Sequence, residues 1–181
     1  MLTLAIDTSS ALLSIALLKG KTIIATHDEE SQRGQAEFLI PKIMDMLQNN
    51  GFSLKQMNAV AVGVGPGSFT GIRVGLATAR GLGLALNIPV WGVTSFEAAI
   101  YGIPTPVVAV LDTKRDDYYT AFVDETGKIK PEPSIQTAEE LKIHLPFNAA
   151  GDGADKLATE IGCTALHSLY SKAAAIGLIA F

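Results

Sequence analysis

Residues 59–86, AVAVGVGPGSFTGIRVGLATARGLGLAL, constrain this chain more than any other stretch. A buried-strand run breaks into a glycine-proline turn and resumes as a helix studded with small residues. Gly63, Gly65 and Gly67 supply the freedom that a tight strand-to-helix reversal needs, Pro66 stiffens it, and Ser68 or Thr70 is placed to cap the first helical N–H groups. Within the helix Gly71, Gly75, Ala79 and Gly83 recur at four-residue spacing, with Ala77, Gly81 and Ala85 as a second such set. Interior glycine costs roughly 1 kcal/mol against alanine, so Gly75, Gly81 and Gly83 together forgo about 3 kcal/mol. Close approach of another backbone is the natural compensation, from the sheet beneath or from a partner's helix.

Size and charge narrow the classes. With 181 residues and 48% apolar composition the chain is a folded globular protein of one ample domain or two small lobes. A net charge of −4 with 18% charged residues leaves no broad basic surface, so any nucleic acid is expected to be held mainly by another molecule. Met1 leads directly into strand-like LTLAIDTS, without a basic region and apolar core of signal type, and no apolar run is long enough to span a bilayer. A cytoplasmic protein is expected, and the single cysteine, Cys163, agrees with a reducing compartment and reads as a buried inert thiol.

The pattern along the chain predicts strands at Leu2–Asp7, Leu12–Leu18 and Thr22–His27, joined by turns short enough to imply an antiparallel meander. A helix follows over Gly34–Asn50. Its apolar arc holds Ala36, Leu39, Ile40, Ile43, Met44, Met46 and Leu47, Phe38 projects from the polar side, and Pro41 should kink it or mark where its regular part begins. Then come a strand at Ala59–Val64, the small-residue helix and a strand at Pro89–Val93. This order, βββαβαβ, is that of a ribonuclease-H-like mixed sheet, as in each lobe of the actin, hexokinase and heat-shock chaperone superfamily. Near residue 102 the pattern restarts with Val107–Leu111, a charged turn and Tyr118–Val123. A helix starts by Thr137 with a Thr-x-x-Glu capping box to Glu140, a short strand occupies Phe147–Gly151, and an apolar helix covers Lys172–Phe181. Two lobes are therefore expected, 1–102 and a smaller, incomplete 103–181, with no sequence repeat between them.

Each motif has a plain structural reading beside the chemical one. The loop Gly63–Thr70 delivers amides to a helix start, yet it lacks the lysine of a Walker loop, the third glycine of a dinucleotide fingerprint and the G-x-S-x-G of a nucleophile elbow. Asp7, Thr8 and Ser9, an acid and two hydroxyls at the end of the first strand, are weak cofactor-binding candidates for phosphate and Mg²⁺, or a simple β-turn with local side-chain bonds. His27, His144 and His167 have no ligand spacing, so no metal site is expected. No local Ser, His, Asp set marks a catalytic nucleophile. Arg73 and Arg80, two turns apart, serve surface salt bridges or partner contacts.

LAIDTS, GVGPGSFTGIRVGLATARGLG, PVWGVTSFEA and LDTKRDDYY together resemble the TsaB (YeaZ) family, over residues 1 to about 153. GPGSFTGIR is highly specific and the other segments support it. The resemblance implies an actin-like ATPase-superfamily fold of two lobes and a part in making N6-threonylcarbamoyladenosine at position 37 of tRNA. It also implies a non-catalytic scaffold for a TsaD-type transferase that works with a TsaE-type ATPase, with no cofactor of its own, nucleotide only in the complex, a homodimer when alone and tRNA met only indirectly. TsaD-type proteins carry H-x-x-x-H on the first long helix. Gly34-Gln35-Ala36-Glu37-Phe38 stands there in this chain, which agrees with the inactive paralogue. Many members continue past residue 181.

The two helices are then expected to lie side by side as the partner surface, built on Phe38, Ile40, Met44, Leu47, Gly71, Arg73, Gly75, Ala79 and Gly83. The alternative is that the small residues face their own sheet. Two other functions compete: an ATP-dependent phosphotransferase using Asp7, Thr8 and Ser9 with Gly151-Asp152-Gly153 in the second lobe, and a peptidase, which lacks its metal ligands.

Overall fold

A computed structural model describes residues 1–30, 35–129 and 132–181. Contacts divide the chain into two units, Met1–Ala98 with Ser171–Phe181, and Ala99–Tyr170.

The first unit begins as the meander expected. β1 (Leu2–Asp7), β2 (Leu12–Lys19) and β3 (Thr22–Glu30) pair antiparallel, and β3 runs three residues beyond His27. Helix α1 (Gln35–Asn49) runs through Pro41, whose ring sits on the exposed side. Gly34, the predicted first residue of α1, lies outside the described residues. β4 (Ala59–Gly63) pairs parallel to β1, helix α2 (Phe69–Leu86) follows, and β5 (Val90–Val93) pairs parallel to β4. The strand order is β3-β2-β1-β4-β5.

Alternation gives this sheet two different faces. Leu2, Leu4 and Ile6 of β1, with Leu13, Ile15 and Leu17 of β2 and Val60 and Val62 of β4, form a core with Leu39, Ile43, Met46 and Leu47 of α1 and Ala79 and Leu82 of α2. The opposite face is built mostly of small residues, with Leu18 its large member: Thr3 and Ala5 of β1, Ala16 of β2, and Ala59 and Ala61 of β4 lie in one register. Helix α6 (Lys172–Ile179) covers it with buried Ala173, Ala174, Ala175, Ile176 and Gly177. A Cβ on Gly177 would run into the Leu18 side chain and stand 3.2 Å from the Ala5 Cβ, so the bare glycine lets the helix lie close on this face. This corrects the placement of residues 171–181 with the second lobe. An all-apolar helix with small residues around its whole circumference carries no periodicity to say which sheet it joins. Beneath it the Thr3 hydroxyl is buried and has no hydrogen-bond partner among the described residues.

In the second unit β6 (Val107–Asp112), β7 (Asp117–Val123) and β8 (Ser134–Thr137) form another antiparallel meander, and β9 (Asn148–Ala150) and β10 (Thr164–Leu166) add parallel to β6. Read as β8-β7-β6-β9-β10, the order and the strand directions repeat those of the first sheet. The unit that looks incomplete in sequence thus carries a full five-stranded sheet. Helix α4 (Ala138–Lys142) starts on the predicted capping box, Thr137 accepting from the Glu140 N–H and Glu140 accepting from the Thr137 N–H at 2.8 Å. Helix α5 (Ala154–Ile161) buries Leu157 and Ile161, and α3 (Ser95–Ile100) follows β5. No described helix is long and apolar enough to cross a membrane.

Candidate functional site

The turn between β4 and α2 is built by close approach. Ser68 caps α2, its hydroxyl accepting from the Gly71 N–H at 3.3 Å, while its own N–H donates to the Ser9 carbonyl at 2.7 Å. That second bond lays the glycine-rich loop directly on the turn after β1. A Cβ on Gly67 would meet the Ser9 carbonyl, and one on Gly71 would meet the Thr8 carbonyl.

Asp7, Thr8 and Ser9 are consequently buried, at 1, 2 and 3% exposure. Every one of them has a protein partner. The Thr8 hydroxyl donates to the Gly71 carbonyl at 2.7 Å. Asp7 accepts from the Ser9 hydroxyl at 3.0 Å and from the Ser9 N–H at 3.3 Å, and the Ser9 hydroxyl also pairs with that of Ser95 at 3.2 Å. These side chains tie the end of β1 to α2 and α3.

The four-residue stripe of α2 points the same way. A Cβ on Gly75 would stand 2.6 Å from the Thr8 hydroxyl oxygen, one on Gly83 would stand 3.2 Å from the Ile88 carbonyl, and Ala79 is fully buried in the core. Leu47 of α1 is buried in the same core. The structure therefore corrects the expected partner surface at five positions: Gly71, Gly75, Ala79, Gly83 and Leu47 face their own sheet, where the compensation for the glycines lies.

Phe38, Ile40, Met44 and Arg73 are exposed, and they have company. α1 and α2 pack side by side, and the outward side of α2 carries Phe69 at 69% exposure, Leu84 at 84%, and the second small set, Ala77, Gly81 and Ala85. Arg73 lays its guanidinium over the Phe69 ring, 3.8 Å from the centroid. Sequence reasoning missed Phe69 and Leu84; the signal was their helical phase, opposite to the glycine stripe. Exposed aromatic and aliphatic side chains on two adjacent helices, among small residues and a stacked arginine, have the composition of a protein-docking surface.

The charged turn of the second unit is ordered by its own charges. Asp112 accepts from the Lys114 N–H at 2.8 Å and from its ammonium at 2.9 Å. Burial pushes the Asp112 carboxyl up, but these bonds outweigh it and hold the carboxyl below its ordinary value. Asp152 accepts from the Asp112 N–H at 3.0 Å, and the Gly153 N–H donates to the Val110 carbonyl, which fastens the Gly151–Gly153 turn to β6. Tyr118, fully buried, donates to Glu160 at 2.7 Å. Burial pushes the Cys163 thiol up, as befits an inert side chain. No group of three potential metal ligands exists among the described residues.

Residues 22–176 match the family described as tRNA N6-adenosine threonylcarbamoyltransferase, TsaD. The chain is 37% identical over 131 residues to the tRNA threonylcarbamoyladenosine biosynthesis protein TsaB of Escherichia coli, covering 68% of this chain and 56% of that one. YeaZ from Pseudomonas aeruginosa superposes with a TM-score of 0.77 at 25% identity, over 98% of this chain and 90% of that one. The activator of 2-hydroxyisocaproyl-CoA dehydratase from Clostridium difficile, at a TM-score of 0.63 and 13% identity over 99% of this chain and 94% of that one, shares the fold. This chain spans about half the length of the curated relatives it matches first.

Proposed function

The chain belongs to the TsaB (YeaZ) family, within the wider family of the TsaD transferase, and from that premise we propose that it serves tRNA threonylcarbamoyladenosine synthesis as a non-catalytic scaffold for a TsaD-type transferase. The observation that carries the reading is the contrast between the two candidate sites. Asp7, Thr8 and Ser9 are buried in bonds to their own fold, whereas α1 and α2 expose Phe38, Ile40, Met44, Phe69 and Leu84. A chain with an occupied phosphate turn and a free apolar helix pair suits binding better than chemistry.

In this reading the helix pair docks on the transferase, or on a second copy when the transferase is absent, and a TsaE-type ATPase joins through the complex in the cytoplasm. The net charge of −4 leaves tRNA to be held by the transferase. Nucleotide, where it enters, does so in the complex.

The test is co-expression with the TsaD-type transferase of the same cell, followed by size-exclusion chromatography and nucleoside mass spectrometry of tRNA. Modification should require the transferase and rise when both proteins are present. Modified nucleoside made by this chain alone, or a transferase that neither binds it nor responds to it, would overturn the scaffold assignment.

A further inference from the structure

A cleft of about 570 Å³ opens in the second unit where β6, β9 and β10 begin and β7 ends. Its volume falls within the roughly 300–1,000 Å³ of small-molecule sites. Aromatic rings and proline rings make up much of the wall. Phe122 and His144 meet edge to face, centroids 5.3 Å apart at 69°, and Phe147 and Pro106 contribute further flat apolar surface. Such walls suit a planar ring, which can stack on one aromatic face while meeting another edge-on, better than a branched aliphatic chain.

The polar groups of the cleft are neutral amide and hydroxyl groups and the imidazole. Among the described residues no carboxylate, ammonium or guanidinium lines it, so a charged ligand would lose hydration without gaining a counter-charge from them. The side chains of Asn148 and Thr164 are exposed and make no hydrogen bond within the described residues, and the His144 ring meets that of Phe122 edge to face. A carboxamide offers a donor and an acceptor side by side, the complement of the paired acceptor and donor on the edge of a nucleobase. We propose that this cleft binds a neutral planar heteroaromatic ring of nucleobase type, stacked against Phe122 or Phe147 and read along its edge by Asn148. The inference does not depend on the scaffold reading.

Such a ring can come from a free nucleoside or from an unpaired base in an RNA strand. No cation among the described lining residues is placed to pair with a strand's phosphates, which favours the free nucleoside. Isotope-labelled protein is titrated with adenosine, with a short single-stranded oligoadenylate and with cyclohexanol, and followed by nuclear magnetic resonance. Adenosine should shift the Asn148 side-chain amide and the Phe122 and Phe147 ring signals saturably. Asn148→Ala should weaken that binding about fivefold, the worth of one hydrogen bond, with an unchanged melting temperature because the residue is exposed. Oligoadenylate binding the same residues more tightly, base for base, would assign the ring to a strand; equal or weaker binding would assign it to the free nucleoside. Absence of saturable shifts, shifts mapping elsewhere, affinity for cyclohexanol equal to that for adenosine, or no effect of Asn148→Ala would overturn the proposal.

Discussion

The Thr8 hydroxyl donates to the Gly71 carbonyl at 2.7 Å, and the bare Cα of Gly71 leaves room for the Thr8 carbonyl in return. This reciprocal contact, between residues 63 positions apart, locks the end of β1 onto the first turn of α2.

The first prediction follows from which side of α2 each glycine occupies. Gly71→Ala drives a methyl into backbone and should destabilise the protein by about 1–3 kcal/mol. Gly81 meets nothing within 4 Å of where a Cβ would stand, so Gly81→Ala should stabilise by up to about 1 kcal/mol through helix propensity. Thermal melts of the two variants should move in opposite directions. Equal shifts of one sign would show that the stripe is not what divides the helix.

Association is expected to depend on the outward side of the helix pair. Phe38→Glu and Leu84→Glu place charge on positions already exposed, so melting should change little. Binding to the transferase or to a second copy should weaken by about 2 kcal/mol or more if these side chains sit at the interface centre. Multi-angle light scattering and melting curves on the same samples separate the two quantities, and intact association in both variants would move the interface elsewhere.

Beneath α6, Thr3→Val should be stabilising. The buried hydroxyl has no partner among the described residues, and a buried unpaired polar group costs about 1–3 kcal/mol. Denaturant unfolding of the variant should show a higher midpoint with an unchanged slope. A lower midpoint would show that the hydroxyl has a partner after all, a trapped water being the simplest.

Alkaline conditions should expose the role of Tyr118. Burial first, and the Glu160 carboxylate beside it second, push its phenol well above the ordinary tyrosine value. The folded state therefore holds the proton more tightly than the unfolded chain, whose tyrosines ionise near about pH 10. The contribution is complete below that pH and is lost as pH rises above it. Tyr118→Phe should flatten the decline in stability between about pH 9 and the folded value, and chemical denaturation across that range measures it. A variant with the same pH slope as the parent would remove Tyr118 from the explanation.

Much of this architecture is legible in the amino-acid sequence, and the gaps have physical causes. The β1–β3 meander and the Thr137 capping box rest on local alternation and on a four-residue motif, which need no knowledge of distant partners. Strand β10 and helix α5 are short, and among the described residues β10 pairs only with β9, so neither leaves a periodic signature of useful length. Spacing identified Gly71, Gly75, Ala79 and Gly83 as one stripe but not what the stripe meets, because Gly71 and Gly75 face Thr8 in the distant turn after β1 and Gly83 faces Ile88 and Val90. The residues opposite in phase, Phe69 and Leu84, read as ordinary apolar helix positions until burial distinguishes inside from outside. The small-residue face of the first sheet shows in Thr3, Ala5 and Ala16, yet its cover lies more than 150 residues away, as the bond from the Ala173 N–H to Ser14 records.

That cover sets an order of events during synthesis. The first five strands leave the ribosome with one sheet face bare, and the whole of Ala99–Tyr170 must be made before Ala173–Gly177 can reach it. At the usual pace of translation this takes on the order of ten seconds. A nascent chain therefore holds the face of Thr3, Ala5 and Ala16 open to other chains until Ala173–Gly177 have been made and have folded back across the whole of the inserted unit.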